Sequence, residues 1–149
     1  MKSIIITIVA CLGLAGSAAA DTIHVAQDGS GDYTTVQAGI DAAGDGDTVL
    51  ISAGLYAVDS SITANGKDIL VIGELDGAGE LAVTLDGGND TRVIMCNSGE
   101  AGTQFENLII ANGYAEDWDS GYNVGGGVLV ASGSDVTFVN CSFLSNDAD

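Results

Sequence analysis

The sequence predicts an all-β chain, a solenoid of short stacked strands preceded by one short capping helix, and three observations carry that prediction. Glycine occurs 22 times and proline not at all in 149 residues. With Val, Ile and Thr spread through short apolar runs, that is the composition of many strands joined by tight turns. Helical periodicity occurs once, near the N-terminus, and does not return after Asp47. Two segments 33 residues apart share one pattern: Phe105-x-Asn107-Leu108-x-Ile110 and Phe138-x-Asn140-Cys141-x-Phe143.

The first element is a leader. Lys2 supplies a charged start, residues 4–14 an apolar stretch, and Ser17, Ala18, Ala19 and Ala20 a small-residue cleavage site, so residues 1–20 read as a secretory signal peptide. About eleven apolar residues fall short of the ~20 that span a bilayer. Ile8-Val9-Ala10-Cys11 also has the shape of a lipoprotein cleavage site, but the apolar run before it, about seven residues, is at the bottom of the usual range.

From Asp21 the order is a strand (22–26), a Gly-rich turn (28–32) and the helix. Thr34 or Thr35 caps it, Val36, Ile40 and Ala43 share one face, and Gly44 ends it after about two turns. Residues 21–47 therefore form an N-terminal strand-and-cap unit. Strands follow at 48–52, 68–73, 81–87, 92–96, 105–113, 126–133 and 135–143, each gap a cluster of Gly, Asn, Asp or Ser.

The 33-residue match decides among all-β architectures. Side chains alternate along a strand, so positions −2, +1 and +3 about the asparagine cannot all face inward unless the chain bends there. Asparagine tolerates the left-handed conformation of such a corner, which assigns Asn107 and Asn140 a structural role. A corner recurring at fixed offset marks stacked coils, at ~20–25 residues each about four across residues 48–149. The polar stretch 115–123 accounts for the long period as an insertion. A sandwich would instead show matched hairpins closed by two-residue turns.

At this point the residues resemble a known family. The opening HVAQDGSGDYTTVQAGIDAAGDGDTVLISAGLY (24–56) is similar to the N-terminal segment of right-handed parallel β-helix proteins of the pectin lyase-like superfamily, pectinesterases included. The stretch NLIIANGYA…GGGVLVASGSDVTFVNCSFLSND (107–147) resembles bacterial β-helix coils, including those of polymorphic outer-membrane proteins. The resemblance implies that the helix covers one end of the solenoid through Val36, Ile40 and Ala43. It does not carry catalysis across: Gly54-Leu55-Tyr56 is followed by Ala57 and Val58, where pectinesterases place a glutamate at the second position. No motif up to Asp149 matches that family's catalytic carboxylates and arginine. A polysaccharide lyase needs a basic group and calcium at a uronate, and Lys67 and Arg92 lie in no lyase motif.

Charge and candidate sites narrow the function. Three basic against 21 acidic residues give a net charge of −18, and −19 once Lys2 leaves with the leader. That excludes phosphate neutralisation, hence nucleic acid and anionic membrane as partners, while 46% hydrophobic residues exclude disorder. Glu116, Asp117 and Asp119 are weak calcium ligands by density of hard oxygens, and Trp118 and Tyr122 beside them are weak sugar-stacking residues. Asp28-Gly-Ser-Gly-Asp32 lacks the glycine at the sixth position and the acid at the twelfth, where Gly39 stands, that an EF-hand loop requires, and reads as a turn. Gly125-Gly126-Gly127 precedes a strand with no lysine or helix after it, so it serves chain re-entry and not phosphate. His24 reads as structural. Cys96 and Cys141 lie in apolar runs without zinc spacing, and two packed thiols are favoured over a bridge.

The expectation is a secreted or cell-surface bacterial protein that binds or acts on extracellular, pectin-like polysaccharide through coils beyond this segment, with calcium at Glu116, Asp117 and Asp119 as the one candidate cofactor. If it is an enzyme, it is a lyase, esterase or hydrolase of the superfamily. The alternative is a non-enzymatic adhesion solenoid. The segment reads as truncated, its last coil lacking a second cap and exposing strand edges.

Overall fold

The computed structural model describes residues 19–115, 124–131 and 133–148. The chain opens with β1 (Thr22–Val25), passes through one helix, α1 (Val36–Ala42), and continues as strands. Thr35, in extended conformation, caps the helix by accepting from the Ala38 N–H at 3.4 Å, which satisfies one of the amides the first turn leaves orphaned. Val36, Ile40 and Ala43 are all buried. The helix docks on β1 closely enough that a Cβ at Gly39 would lie 2.5 Å from Val25 Cγ2. It ends at Ala42, where the C-cap Ala43 turns extended (φ −66°, ψ 145°) immediately before Gly44.

The strands are β2 (Thr48–Ile51), β3 (Gly54–Ala57), β4 (Leu70–Gly73), β5 (Val83–Asp86), β6 (Ile94–Cys96), β7 (Thr103–Glu106), β8 (Ile109–Ala111), β9 (Tyr114–Ala115), β10 (Val128–Val130), β11 (Val136–Val139), β12 (Ser142–Leu144) and β13 (Asp147–Ala148). The runs expected at 105–113 and 135–143 are each split, with Asn107 (φ 55°) and Asn140 (φ 49°) between the halves. Strand β3 is absent from the sequence expectation. It follows β2 after two residues, and only Tyr56 of its four side chains is buried, so no apolar run announces it.

Every pairing between these strands among the described residues is parallel. One sheet has the order β1-β2-β4-β7-β11 and a second the order β3-β5-β8-β12, with two further pairs, β6-β10 and β9-β13. Successive passes of the chain thus visit the same sheets in the same order. Register partners lie 22 residues apart between β2 and β4 (Thr48 to Leu70), 34 between β4 and β7 (Leu70 to Gln104) and 33 between β7 and β11 (Phe105 to Phe138). The fold is all-β in character, built on parallel sheets with one short helix.

The core is the space the sheets enclose. Val49, Ile51, Val71, Val83, Leu85, Phe105, Leu108 and Ile110 are each 0% exposed, alternating with more exposed neighbours as strand geometry requires. Phe138 stacks on Phe105 with ring centroids 5.3 Å apart and planes 11° from parallel. One pass later burial falls away: Phe143, the register partner of Ile110, is 49% exposed. Among the described residues no helix is long and apolar enough to cross a membrane.

Candidate functional site

Two clefts share the wall formed by Ala57, Val58 and Asp59. The larger, about 310 Å³, lies between this segment and the entry to α1, with Gln27, Thr34, Ser60 and Ile62 among its lining residues. The smaller, about 210 Å³, continues to the turn after β5, where Asp86, Asp90 and Thr91 line it. Their walls follow from the fold. Residues 57–60 leave the end of β3 and residues 86–91 the end of β5, and β3 and β5 are neighbours in one sheet.

The polar groups of these clefts divide into engaged and unengaged ones. Tyr56 is buried and its hydroxyl donates to the Ser52 carbonyl at 3.0 Å, with burial raising its pKa first of all. Gln27 Nε2 donates to the Leu55 carbonyl at 2.6 Å. One oxygen of Asp86 accepts from the Gly88 N–H at 2.9 Å and from Asn112 Nδ2 at 3.0 Å. Thr34, Asp59, Ser60 and Asp90 are exposed, and their side chains are free to meet a ligand. The lining therefore offers hydroxyls and carboxylates beside the exposed Ala57, with the buried Val58 and Ile62 behind it.

Both cations of the described chain are committed elsewhere. Lys67 Nζ donates to the Ile40 and Asp41 carbonyls at 2.7 and 2.9 Å, a cation at the negative end of the helix dipole. Arg92 Nε and Nη2 donate to the Gly125 and Val124 carbonyls, each at 2.8 Å, and fix the chain where it rejoins the sheets. There the backbones approach so closely that a Cβ on Gly126 would lie 1.8 Å from the Asp147 carbonyl oxygen. The Gly126 and Gly127 carbonyls accept from the Val93 and Ile94 N–H groups, which joins the re-entering chain to the strand before it.

The remaining residues singled out from sequence fall as follows. Asn107 and Asn140 are brought together, Asn140 Nδ2 donating to Asn107 Oδ1 at 2.8 Å. Asp28 accepts from the Ser30 hydroxyl at 2.6 Å and the Ser30 N–H at 2.9 Å, bonds that hold its pKa below the ordinary value and close the turn on itself. His24 is exposed on β1. Cys96 and Cys141 are free thiols. Burial, followed by the charge of Glu100, pushes Cys96 up to about 12, and burial also raises Cys141. Glu116, Asp117, Trp118, Asp119 and Tyr122 lie outside the described residues, as does Cys11. Among the described residues no group of His, Cys, Asp and Glu is arranged to hold a metal ion.

One buried carboxylate has no counterpart in the sequence reading. Glu100 is 0% exposed and joins three successive passes of the chain. Its carboxylate accepts from the Ser134 hydroxyl at 2.5 Å, the Ser98 N–H at 3.1 Å and the Gly66 N–H at 3.2 Å. Burial pushes its pKa up, but these bonds outweigh burial and leave it below the ordinary value. No local signal finds it, because two of its three partners, Gly66 and Ser134, lie 34 residues away on either side.

Compared with known proteins, the chain matches no family model, no curated protein and no solved structure.

Proposed function

We propose that the chain forms a secreted right-handed parallel β-helix that binds extracellular polysaccharide on its lateral surface without cleaving it. The helical-solenoid reading rests on parallel sheets revisited in constant order, and the hand follows from the strong preference for right-handed crossovers between parallel strands. The observation that carries the function is the pair of clefts sharing Ala57, Val58 and Asp59. They lie across two neighbouring passes and mix unengaged hydroxyls and carboxylates with apolar surface. Such a lining suits a polymer of sugar rings: donors and acceptors for its hydroxyls, with the exposed Ala57 beside them for C–H contact.

Binding without β-elimination is favoured because Lys67 and Arg92 are spent on backbone carbonyls. A lyase needs a free base. The test is retention of residues 21–149 on insoluble plant and microbial polysaccharides, with reducing-end and unsaturated-product assays run on the same samples. Retention without product is the expected result. Failure to bind any polysaccharide, together with adherence to intact cells stripped of glycans, would favour the adhesion reading.

A further inference from the structure

Resting on the polysaccharide-binding reading, we infer that the clefts select uncharged, hydroxyl-rich glycans and reject polyuronates. The argument is electrostatic and steric together. The unengaged groups are two hydroxyls, Thr34 and Ser60, and two carboxylates, Asp59 and Asp90, with the second oxygen of Asp86 beside them. Carboxylates accept strongly from sugar hydroxyls, since a charged acceptor shortens and strengthens the bond. They repel the carboxylates of a uronate chain by the same charge. A cleft lined by one sign concentrates its field, and among the described residues neither Lys67 nor Arg92 lines either cleft. At a net charge of −18 the rest of the molecule adds to the repulsion.

The volume agrees with a small saccharide. About 310 Å³ in the larger cleft is at the lower end of the roughly 300–1,000 Å³ that ligand sites occupy. Ala57, exposed at the end of β3, supplies apolar contact for a ring face. The smaller cleft extends the track across the next pass of the chain, so one polymer would lie along both.

The experiment is affinity electrophoresis and calorimetry of residues 21–149 against neutral galactan, neutral xylan and polygalacturonate, in EDTA, at low and high sodium chloride. Retention by a neutral glycan that is insensitive to salt is expected, with no retention by polygalacturonate at low salt. Asp59→Asn combined with Asp90→Asn should weaken the neutral glycan about tenfold. Both side chains are exposed, so the fold is left intact, and circular dichroism checks it. Polygalacturonate binding as tight as neutral binding at low salt would overturn the selectivity while leaving polysaccharide binding standing. Neutral binding untouched by the double substitution would overturn the location of the site. Retention on no glycan would overturn the underlying reading itself.

Discussion

Asn140 lies one register step of 33 residues above Asn107, and its side-chain Nδ2 donates to Asn107 Oδ1 at 2.8 Å. Both residues are left-handed. The same side chain that tolerates the corner also links it to the corner of the next pass, so local conformation and stacking are served by one residue type.

Asn107→Ala is expected to lower stability by about 2 kcal/mol, through strain at positive φ and loss of the amide bond. Asn107→Gly keeps the conformation free of strain and loses only the bond, about 1 kcal/mol. Urea unfolding of the two variants separates these contributions. Equal losses would show that the corner conformation is not what asparagine supplies.

Glu100 gives the chain an acid-sensitive joint. Its folded-state pKa is depressed from an ordinary value of 4.5, so its contribution is fully present above that value and disappears as pH falls through the lower folded value. Glu100→Ala strands the Ser134 hydroxyl and the Ser98 and Gly66 amides and should cost about 2–4 kcal/mol near neutral pH. In Glu100→Gln the acid-side decline of stability should flatten, measured as unfolding midpoint against pH between the neutral and acidic ranges. An unchanged slope would remove Glu100 as its source.

Gly126→Ala should be among the most damaging single substitutions, about 3 kcal/mol or more, because the new methyl meets the Asp147 carbonyl and the backbone must move. Gly77→Ala is the control. Nothing lies within 4 Å of its Cβ and its φ is not positive, so stability should hold or rise by about 0.5 kcal/mol. Thermal unfolding of both variants tests the contrast.

The parts of this fold that the sequence discloses are those where a residue type has few alternatives. Val36, Ile40 and Ala43 are legible because a short helix on a sheet has one buried stripe. Phe105, Leu108 and Ile110 are legible because an enclosed position must be apolar and the asparagine between them explains the broken alternation. Glu100 is illegible because Asn97-Ser98-Gly99-Glu100 has the composition of a solvated turn. It is buried only because Gly66 and Ser134, distant in sequence, converge on it. The clefts are illegible for the same reason: residues 27–37, 56–62 and 86–91 form their walls, and each stretch alone reads as turn and strand end. The two basic residues looked from sequence like unplaced cations, and nothing short of the fold reveals that backbone carbonyls claim both.

Unequal spacing between register partners has a consequence for how such a chain can change. Partners are 22, 34 and 33 residues apart in one sheet, yet the strands align rung upon rung. Alignment is set by what happens within four-residue strands, and length is absorbed at the corners. A corner can therefore gain or lose residues without rewriting the interior, so surface loops and buried core are free to vary on separate schedules.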